Sequence, residues 1–299
     1  MLQPLDLPPF TFQQLRIFVG VARELSVTRA ASALGISQPA ASQALRELER
    51  RLDTTLFERE KNRLRLTYHG DLFFGPALQM LEEASRIGHT LTQPKGRLAG
   101  ELNFGASTTI GNYIMPEPLQ RFRLAQPDVR IRMTIAHTAT VVDRVLARDL
   151  PLGLVEGRVH HPDLVATPYA QDQLVVVCRP DHPWASRGEA TGQEVVDAPF
   201  IARERGSGTR VIIEDRFRSA GFYLTSMVEL GNTESIKDAI MRGLGISIMS
   251  SKAVVREVDA GLLSTLLLTD VPLTRSFQTV RRTDRRLSPV LQTFLELLA

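Results

Sequence analysis

Residues 26–52 constrain the fold most, because two helix patterns follow each other with only a short turn between them. Ser26 is a typical N-cap for the first helix, and Gly35 can adopt the left-handed conformation that ends it. Ser37 is an N-cap for the second helix, which tolerates Pro39 in its first turn. Apolar residues recur at intervals of three and four, which predicts one buried face on each helix: Ala30, Ala31 and Leu34 on the first, and Ala41, Leu45, Leu48 and Leu52 on the second.

A short extended pattern follows the second helix. Residues 56–59 are extended, residues 60–62 form a polar turn, and residues 63–66 alternate between arginine and leucine. This alternation predicts a two-stranded hairpin whose leucines face inward. Its arginines then face solvent beside Arg59 and Lys61, so the hairpin has a basic edge.

The outward side of the second helix and the hairpin edge carry groups suited to a nucleic-acid duplex. Amide and guanidinium groups can meet base edges in the major groove, and a basic hairpin can contact phosphates. We expect these residues to contact double-stranded DNA: Gln38, Pro39, Ser42, Gln43, Arg46, Arg50, Arg59, Lys61 and Arg63. The alternative is a small helical bundle with a solvated charge run. The order of capped helix, glycine turn, capped helix and basic hairpin favours DNA binding.

The first third of the chain also carries a series of spaced motifs. They are Leu15-x-x-Phe18, Ser26, Ala30-Ala31, Leu34, Ser37-Gln38-Pro39-Ala40-x-Ser42, Leu48-Glu49, Leu56-Phe57-x-Arg59 and Leu66-Thr67-x-x-Gly70. Together they resemble the DNA-binding domain of LysR-type transcriptional regulators, and the remaining two thirds match this family by layout. The resemblance implies a cytoplasmic bacterial regulator with a C-terminal effector-binding domain, and RNA polymerase is then a further candidate partner. Asp53 departs from the family pattern, which more often has glycine at the helix exit.

Length and charge limit the class of protein. A chain of 299 residues with 43% apolar residues exceeds one ordinary core, so we expect two or more domains. Residues 10–66 contain ten lysines and arginines against six aspartates and glutamates, although the net charge of the whole chain is only +3. The basic excess therefore lies on the two predicted helices and the hairpin, which together form a winged helix-turn-helix. DNA affinity should depend on dimerisation and shape as well as charge.

Other composition signals exclude several function classes. Cys178 is the only cysteine and lies in an apolar strand pattern, so we expect a buried, inert thiol. The first ten residues do not resemble an export signal, and no apolar run approaches the ~18 residues of a membrane span. His160 and His161 have no carboxylate or cysteine at metal-ligand spacing, and no nucleophile motif is present. We expect a cytoplasmic protein with no membrane partner, no metal, no cofactor and no catalytic site.

A long helical pattern runs from residue 67 to about residue 92. Its apolar residues alternate at intervals of four and three, which is typical of a coiled-coil seam. The seam residues are Phe73, Ala77, Met80, Ala84, Ile87 and Leu91. We therefore predict a dimerisation helix and a homodimer or homotetramer, with a kink near Pro76. Residues 93–97 have the composition of a helix-breaking hinge.

The rest of the chain alternates between strand and helix patterns. Strands at residues 100–106, 129–136 and 152–155 are separated by helices, which implies a parallel sheet, and a second such unit starts near Gln173. The expected fold is a multidomain α+β and α/β protein: residues 1–66 form a winged helix-turn-helix, 67–95 a linker helix and hinge, and 96–299 an effector-binding domain. The family resemblance implies two lobes like those of type 2 periplasmic binding proteins, lobe I at about 96–170 and 272–299 and lobe II at about 171–271.

Polar residues at three predicted helix starts mark a candidate ligand site. In open α/β sheets, ligands bind beyond the carboxyl ends of strands, where helix N-termini offer free N–H groups. We expect a small anionic metabolite to contact Ser107, Thr108, Thr109, Arg203, Ser207, Thr209, Arg210, Asn232 and Thr233. Taken singly, each of these serines and threonines, and likewise Asn232, is more simply an ordinary helix cap. Their joint placement near arginines favours an anion site between the lobes.

Two functions fit these features. The favoured one is a sequence-specific DNA-binding transcriptional regulator controlled by a small metabolite. The alternative is a small-molecule-binding protein or enzyme of the same α/β architecture whose N-terminal helices only dimerise it. The missing export signal and the missing acid-base or nucleophile groups argue against this alternative.

Overall fold

The computed structural model describes residues 9–60, 63–92, 98–225 and 228–298, with side chains excepted at 85–92. The chain divides into two compact units, Met1–Pro94 and Lys95–Ala299. Each unit has hydrophobic cores of its own. The predicted hinge at residues 93–97 lies outside the described residues, as do Lys61 and Asn62 of the predicted hairpin turn.

In its described residues, the first unit contains four helices and one hairpin. In chain order they are α1 (Phe12–Glu24), α2 (Val27–Leu34), α3 (Gln38–Leu52), β1 (Phe57–Glu60), β2 (Arg63–Leu66) and α4 (Tyr68–Thr92). The predicted caps are confirmed, because Ser26 accepts a hydrogen bond from the backbone N–H of Arg29 and Ser37 accepts one from that of Ala40. Gly35 ends α2 in the left-handed conformation, at φ 70°. The hairpin is antiparallel, with Arg59 opposite Leu64.

The exit of α3 has the geometry that a glycine would provide, although Asp53 occupies it. Asp53 lies in the left-handed region at φ 48°, and its N–H donates to the carbonyl oxygens of Arg50 and Glu49. Aspartate enters this region more readily than most residues because its short polar side chain can bond locally. The departure from the family pattern therefore does not change how the helix ends.

The beginning of α4 packs into the core of the first unit. Ala77 and Leu78 are buried there, and the Phe18 ring lies 5.1 Å from that of Phe73. The predicted coiled-coil seam is therefore wrong at Phe73 and Ala77, because these two residues pack into the core of their own subunit. Met80 remains 37% exposed. The side chains of Ile87 and Leu91 lie outside the described residues.

The second unit alternates strands and helices along the chain. Its elements are β3 (Gly100–Ser107), a π-helical turn (Ile110–Ile114), α5 (Pro116–Ala125), β4 (Val129–Ala136), α6 (Thr138–Leu146), β5 (Gly153–Glu156), β6 (Leu164–Cys178), α7 (Pro183–Arg187), β7 (Glu189–Ala190), α8 (Gly192–Asp197), β8 (Ile201–Arg203), α9 (Gly208–Ser219), β9 (Val228–Leu230), α10 (Thr233–Met241), β10 (Ser247–Ser250), a 3₁₀ turn (Ser251–Ala253), α11 (Val255–Asp259), β11 (Ser264–Leu268), β12 (Thr274–Arg282) and α12 (Pro289–Leu298). Ser226 and Met227, predicted to begin the strand before α10, lie outside the described residues.

Two lobes form around the long antiparallel pair of β6 and β12. Lobe I, residues 98–170 and 277–298, holds β4, β3 and β5 in parallel, followed by one half of the pair. Lobe II, residues 171–276, holds β10, β11 and β7 around the other half of β6, and a bridge from Phe200 to Ile246 adds β8 and β9. The predicted parallel strands are thus confirmed, whereas the 15-residue β6 was not predicted at its full length.

The two lobes meet where the pairing of β6 with β12 is irregular. Phe277 lies opposite Ala170, and the next residue, Gln278, lies opposite Pro168, so Tyr169 is skipped in the register. The carboxyl end of β5 and the N-termini of α6 and α9 come together near this point. Strand ends and helix starts of both lobes therefore surround one shared region, here called the cleft.

Candidate functional site

A buried carboxylate, Glu156, lies at the centre of the cleft. It ends β5, and its side chain is 3% exposed. Its Oε1 accepts a hydrogen bond from Ser107 Oγ at 3.0 Å, and its Oε2 accepts one from Thr209 Oγ1 at 3.0 Å. The guanidinium Nη1 of Arg275 lies 3.1 Å from the same Oε2. Ser107 and Glu156 belong to lobe I, and Thr209 and Arg275 to lobe II, so this carboxylate joins the two lobes.

Arg275 lies between two buried carboxylates. Its Nε donates to Asp172 Oδ2 at 2.7 Å, and Asp172 Oδ1 accepts a hydrogen bond from Ser250 Oγ at 2.8 Å. Burial raises the pKa of Glu156, but Arg275 and the hydroxyl groups around the carboxylate outweigh it, so the pKa lies below its ordinary value. Glu156 is therefore ionised, and the guanidinium of Arg275 contacts both acidic side chains.

Several polar groups next to Glu156 have no partner among the described residues. They are the Nη2 of Arg275, the hydroxyl of Thr138 and the hydroxyl of Tyr169. His137 lies at the N-cap position of α6 but supplies no side-chain cap, so the first N–H groups of this helix are also uncapped. Buried polar groups without partners are uncommon in proteins and call for an explanation. A small polar molecule beside Glu156 would supply the missing partners.

Gly208 allows α6 and α9 to approach each other at this point. A Cβ atom on Gly208 would lie 2.5 Å from Thr138 Oγ1 and 3.2 Å from Glu156 Oε2. The unpaired hydroxyl of Thr138 is therefore close to the carboxylate, although the two residues lie on different elements. The N-termini of both helices point their positive ends at the same small region, which favours negative charge there.

Two further contacts join the lobes at the rim of the cleft. At one place, the Tyr113 hydroxyl donates to Glu234 Oε1 at 2.5 Å, and Lys237 Nζ lies 2.9 Å from the same oxygen. Burial and the neighbouring Glu234 raise the pKa of Tyr113, so the phenol keeps its proton. At a second place, His137 Nδ1 lies 3.0 Å from Glu204 Oε1. The lobes therefore meet at two places besides the network around Glu156.

The predicted ligand residues fall into two groups. Ser107, Thr109 and Thr209 are brought together, because all three hydroxyls contact Glu156. Thr108 is half-buried beside them. Ser207 and Asn232 have a simpler role, since they cap α9 and α10 as the ordinary helix-cap interpretation requires.

The predicted arginines have partners within lobe II. Arg203 forms a two-pronged ion pair with Glu204 at 2.8 Å, and its Nη1 donates to Thr233 Oγ1 at 3.0 Å. Arg210 pairs with Glu214 at 2.7 Å and with Glu229 at 2.6 Å. Both guanidinium groups are therefore held by protein carboxylates. In this structure, neither arginine is among the free donors next to Glu156.

The central residues of the cleft, Glu156, Asp172 and Arg275, were not predicted. Glu156 did carry a signal, because it is a charged residue at the carboxyl end of a buried strand, directly before Gly157. Asp172 and Arg275 carry no comparable signal, since they pair across 103 residues of sequence. Only the crossing of β6 and β12 brings them together.

The second candidate site is the outward face of α3 with the hairpin. Gln38, Pro39, Gln43, Arg46 and Arg50 are exposed on α3, whereas Ser42 is half-buried and accepts a hydrogen bond from Gln38 Nε2 at 2.9 Å. Arg59 and Arg63 are exposed on the hairpin. The structure therefore presents the predicted DNA-contacting residues that it describes on the surface of the first unit.

Glu49 fixes the hairpin to the end of α3. Its Oε1 accepts hydrogen bonds from the backbone N–H groups of Leu56 at 2.8 Å and Phe57 at 3.2 Å. Hydrogen bonds to a charged acceptor are stronger than those between neutral groups. The conformation of the hairpin relative to α3 therefore depends on a side chain outside the set predicted to contact DNA.

Cys178 is fully buried in β6, and burial raises the pKa of its thiol to about 11. Such a thiol is protonated and unreactive at neutral pH. Among the described residues, no helix is both long and apolar enough to cross a membrane. The same part of the chain shows no group of three or more histidine, cysteine and acidic residues arranged to hold a metal ion.

Comparison with known proteins matches each of the two units to a protein family. Residues 12–71 match the bacterial regulatory helix-turn-helix protein family of lysR type, and residues 95–299 match the LysR substrate binding domain. An uncharacterized HTH-type transcriptional regulator of Escherichia coli K12, YeiE, is 37% identical over 96% of both chains.

Solved structures show the same architecture. A full-length variant of OxyR from Pseudomonas aeruginosa has a TM-score of 0.78, with 24% identity over 97% of this chain and 94% of that chain. The regulatory domain of Synechocystis PCC6803 CcmR, in complex with 2-PG, has a TM-score of 0.62, with 30% identity over 67% of this chain and 95% of that chain. The chain belongs to the LysR family of transcriptional regulators. It is a DNA-binding regulator with an effector-binding domain.

Replacing Arg275 tests how far the cleft depends on this one guanidinium. Arg275→Met leaves Glu156 and Asp172 buried without a cation, which should lower the free energy of unfolding by about 3–5 kcal/mol at pH 8. In the wild type, the lowered pKa of Glu156 contributes stability above the ordinary glutamate value of 4.5, and this is lost as the pH falls. In the variant, burial without the arginine raises the pKa of the Glu156 carboxylate instead. The loss of unfolding free energy relative to the wild type should therefore be smaller at pH 5 than at pH 8.

Urea unfolding of the full-length protein at both pH values measures this difference. Arg242→Met is the control, because Arg242 pairs with Asp238 on an exposed helix surface and should matter little. A loss of stability of the same size at both pH values would contradict the assignment of Glu156 as a buried, ionised carboxylate.

Proposed function

We propose that this regulator reads double-stranded DNA with α3 and the hairpin, and that a small anionic metabolite in the cleft controls its activity. The single observation that supports control by a metabolite is the group of unpaired donors beside Glu156. The regulator acts in the bacterial cytoplasm, with RNA polymerase as a further partner. Glu156 and Asp172 are both tied to Arg275, which supports a sensing role for the cleft and not an acid-base reaction.

The anionic group of the metabolite lies on the α6 side of Glu156. There it accepts hydrogen bonds from the Thr138 hydroxyl, from Arg275 Nη2 and from the uncapped N–H groups of α6. This position differs from the one expected from the sequence, because the hydroxyls of Ser107 and Thr209 are already bound to Glu156. That the related CcmR regulatory domain was solved with a small molecule, 2-PG, supports a ligand in this domain.

Binding between the lobes gives the ligand a way to shift their arrangement. A ligand changes a conformational equilibrium only by its different affinity for the two states. Thr138 belongs to lobe I and Arg275 to lobe II, so a ligand that contacts both favours the closed arrangement. A coupling of about 1–3 kcal/mol is typical of allosteric regulation.

The DNA-reading surface divides into two kinds of contact. Gln43 lies at the exposed centre of α3, where an amide can pair with the edge of an adenine. Ser42 lies on the same helix one residue earlier. Arg59 and Arg63 on the hairpin hold phosphates and fix the position of the helix without reading sequence.

We further propose that α4 pairs two copies of the chain, giving a homodimer or homotetramer. Phe73 and Ala77 are used inside the first unit, so the pairing surface is the exposed stripe of α4. Tyr68, Leu72, Pro76 and Met80 follow each other at intervals of four on this stripe. Exposed apolar residues in such a row are typical of a helix that packs against another helix.

Base reading and phosphate binding should respond differently to substitution. Gln43→Ala should relax the sequence preference at one base position, at a cost of about 1–3 kcal/mol for the preferred operator. Arg63→Ala should weaken operator and random DNA alike and lower the slope of log K against log salt by about one. Fluorescence anisotropy with both duplexes measures these effects. Equal losses on both duplexes for Gln43→Ala would contradict a base contact.

The proposed effector contacts can be tested through one hydroxyl. Thr138→Val keeps the shape of the side chain but removes the donor, so it should weaken metabolite binding by about 0.5–1.5 kcal/mol and leave effector-free DNA binding unchanged. A thermal-shift panel of small acids identifies the ligand, and calorimetry compares the two proteins. The control is Thr140→Val, on an exposed position of the same helix. If Thr138→Val binds the ligand as well as the wild type does, the ligand lies elsewhere.

A charge in the exposed stripe should separate the paired chains. Met80→Glu would bury an unpaired carboxylate between two copies of α4, which disfavours association. Light scattering of the full-length protein should show a smaller oligomer, together with weaker operator binding. Leu244→Glu, at an exposed apolar residue of lobe II, is the control and should leave the oligomer intact. An unchanged oligomer in Met80→Glu would place the interface outside this part of α4.

A further inference from the structure

One carboxylate on α3 holds two arginines. Glu47 accepts a two-pronged contact from Arg50, with Nε at 2.9 Å and Nη2 at 2.7 Å. It also accepts a hydrogen bond from Arg51 Nε at 2.7 Å. The three side chains together carry a net charge of only +1, so much of the positive charge at the end of α3 is neutralised within the helix.

This cluster lies at the edge of the proposed DNA-reading surface. Arg50 follows Gln43 by seven residues, or about two helical turns, so the two share the outward face. Glu47 lies four residues after Gln43 and three before Arg50, on the flank of the same face. Arg51 lies further round the helix on the other side of Glu47.

Other arginines of this surface have no such partner. In the described part of the chain, no carboxylate is paired with Arg46, Arg59 or Arg63, whereas Glu47 pairs with both Arg50 and Arg51. The hydrogen bonds from Arg50 and Arg51 lower the pKa of Glu47 to about 2. The carboxylate is therefore ionised at any pH at which the protein would meet DNA, and it competes permanently with phosphates for the two guanidinium groups.

We infer that Glu47 is a specificity-determining residue, which withholds Arg50 and Arg51 from the phosphates of arbitrary DNA. Non-specific binding comes almost entirely from phosphate contacts, and each contact adds about 0.9 to the salt slope. Holding two arginines within the helix removes up to two such contacts. A specific DNA site can still draw Arg50 away from Glu47, because a guanine offers two acceptors in the major groove to the guanidinium group. This inference rests on the proposed role of α3 as the helix that reads DNA.

The test is the salt dependence of binding to random-sequence duplex by the full-length Glu47→Gln protein. Glutamine has almost the same size and helix propensity, so the fold should be retained. For each DNA-bound subunit, the slope of log K against log salt should become steeper by about one to two, and affinity at low salt should rise by about tenfold. Glu47→Ala, which also removes the charge, should show the same change and guards against an effect peculiar to glutamine.

A matched control separates release of the arginines from a change in net charge. Glu24→Gln also removes one carboxylate from the first unit and frees one arginine, Arg29, from an exposed ion pair of 3.0 Å. In Glu24→Gln, the slope of log K against log salt should change by less than half as much as it does in Glu47→Gln. In the Glu47→Gln background, Arg50→Ala should remove about half of the salt slope that the Glu47→Gln substitution adds.

A selection from a random duplex library measures specificity without a known operator. The wild type should enrich a sequence motif more strongly than Glu47→Gln does. An unchanged salt slope in Glu47→Gln, an effect equal to that of Glu24→Gln, or weaker binding to random DNA would each overturn the inference.

The result also distinguishes this inference from the proposed function. If Arg46→Ala and Arg63→Ala weaken random-DNA binding while Glu47→Gln changes nothing, only the role of Glu47 fails. If none of these variants changes DNA binding, the assignment of α3 and the hairpin as the DNA-reading surface fails as well.

Discussion

The effector-binding unit depends on one buried guanidinium. Arg275 contacts Glu156 at the end of β5, Asp172 on β6 and Thr209 on α9, so a single side chain connects both lobes with the strands that cross between them. A buried charge is tolerated only when its partners compensate for the lost hydration. Removing one partner leaves the remaining charge buried and unpaired, which is destabilising. The arrangement of the lobes around the cleft is therefore tied to the position of Arg275.

The same constraint supports the proposed ligand site in the cleft. The network satisfies most of its hydrogen-bonding groups but leaves the Nη2 of Arg275 and the hydroxyl of Thr138 without partners in the described residues. These groups lie on different lobes, so a molecule that satisfies both also changes the balance between open and closed arrangements. The rim contact between Tyr113 and Glu234 already favours closure. On the proposed function, the ligand therefore needs to supply only a modest additional interaction energy.

In both units, a carboxylate of the protein pairs with an arginine that could otherwise bind an external anion. In the cleft, Glu156 takes the hydroxyls and one edge of the guanidinium that a metabolite would be expected to contact. On α3, Glu47 takes the guanidinium groups that phosphates would contact. The two cases differ in burial, since Arg275 is buried whereas Arg50 is exposed and solvent weakens its ion pair. The cleft carboxylate is accordingly a structural element, and the one on α3 is open to competition.

The sequence by itself determined the features that depend on local spacing. Ser26, Gly35 and Ser37 predict their helix boundaries because capping and left-handed backbone are properties of single residues, and the alternation in residues 63–66 predicts the hairpin in the same way. Of the cleft residues, Ser107, Thr109 and Thr209 were predictable because they follow strands or start helices. Only the tertiary structure decided that their hydroxyls bind Glu156, that Arg203 and Arg210 are held by carboxylates within lobe II, and that Phe73 and Ala77 pack inside the first unit. Each of these outcomes depends on residues distant in sequence, and the pairing of Asp172 with Arg275 exists only because β6 and β12 cross at the boundary between the lobes.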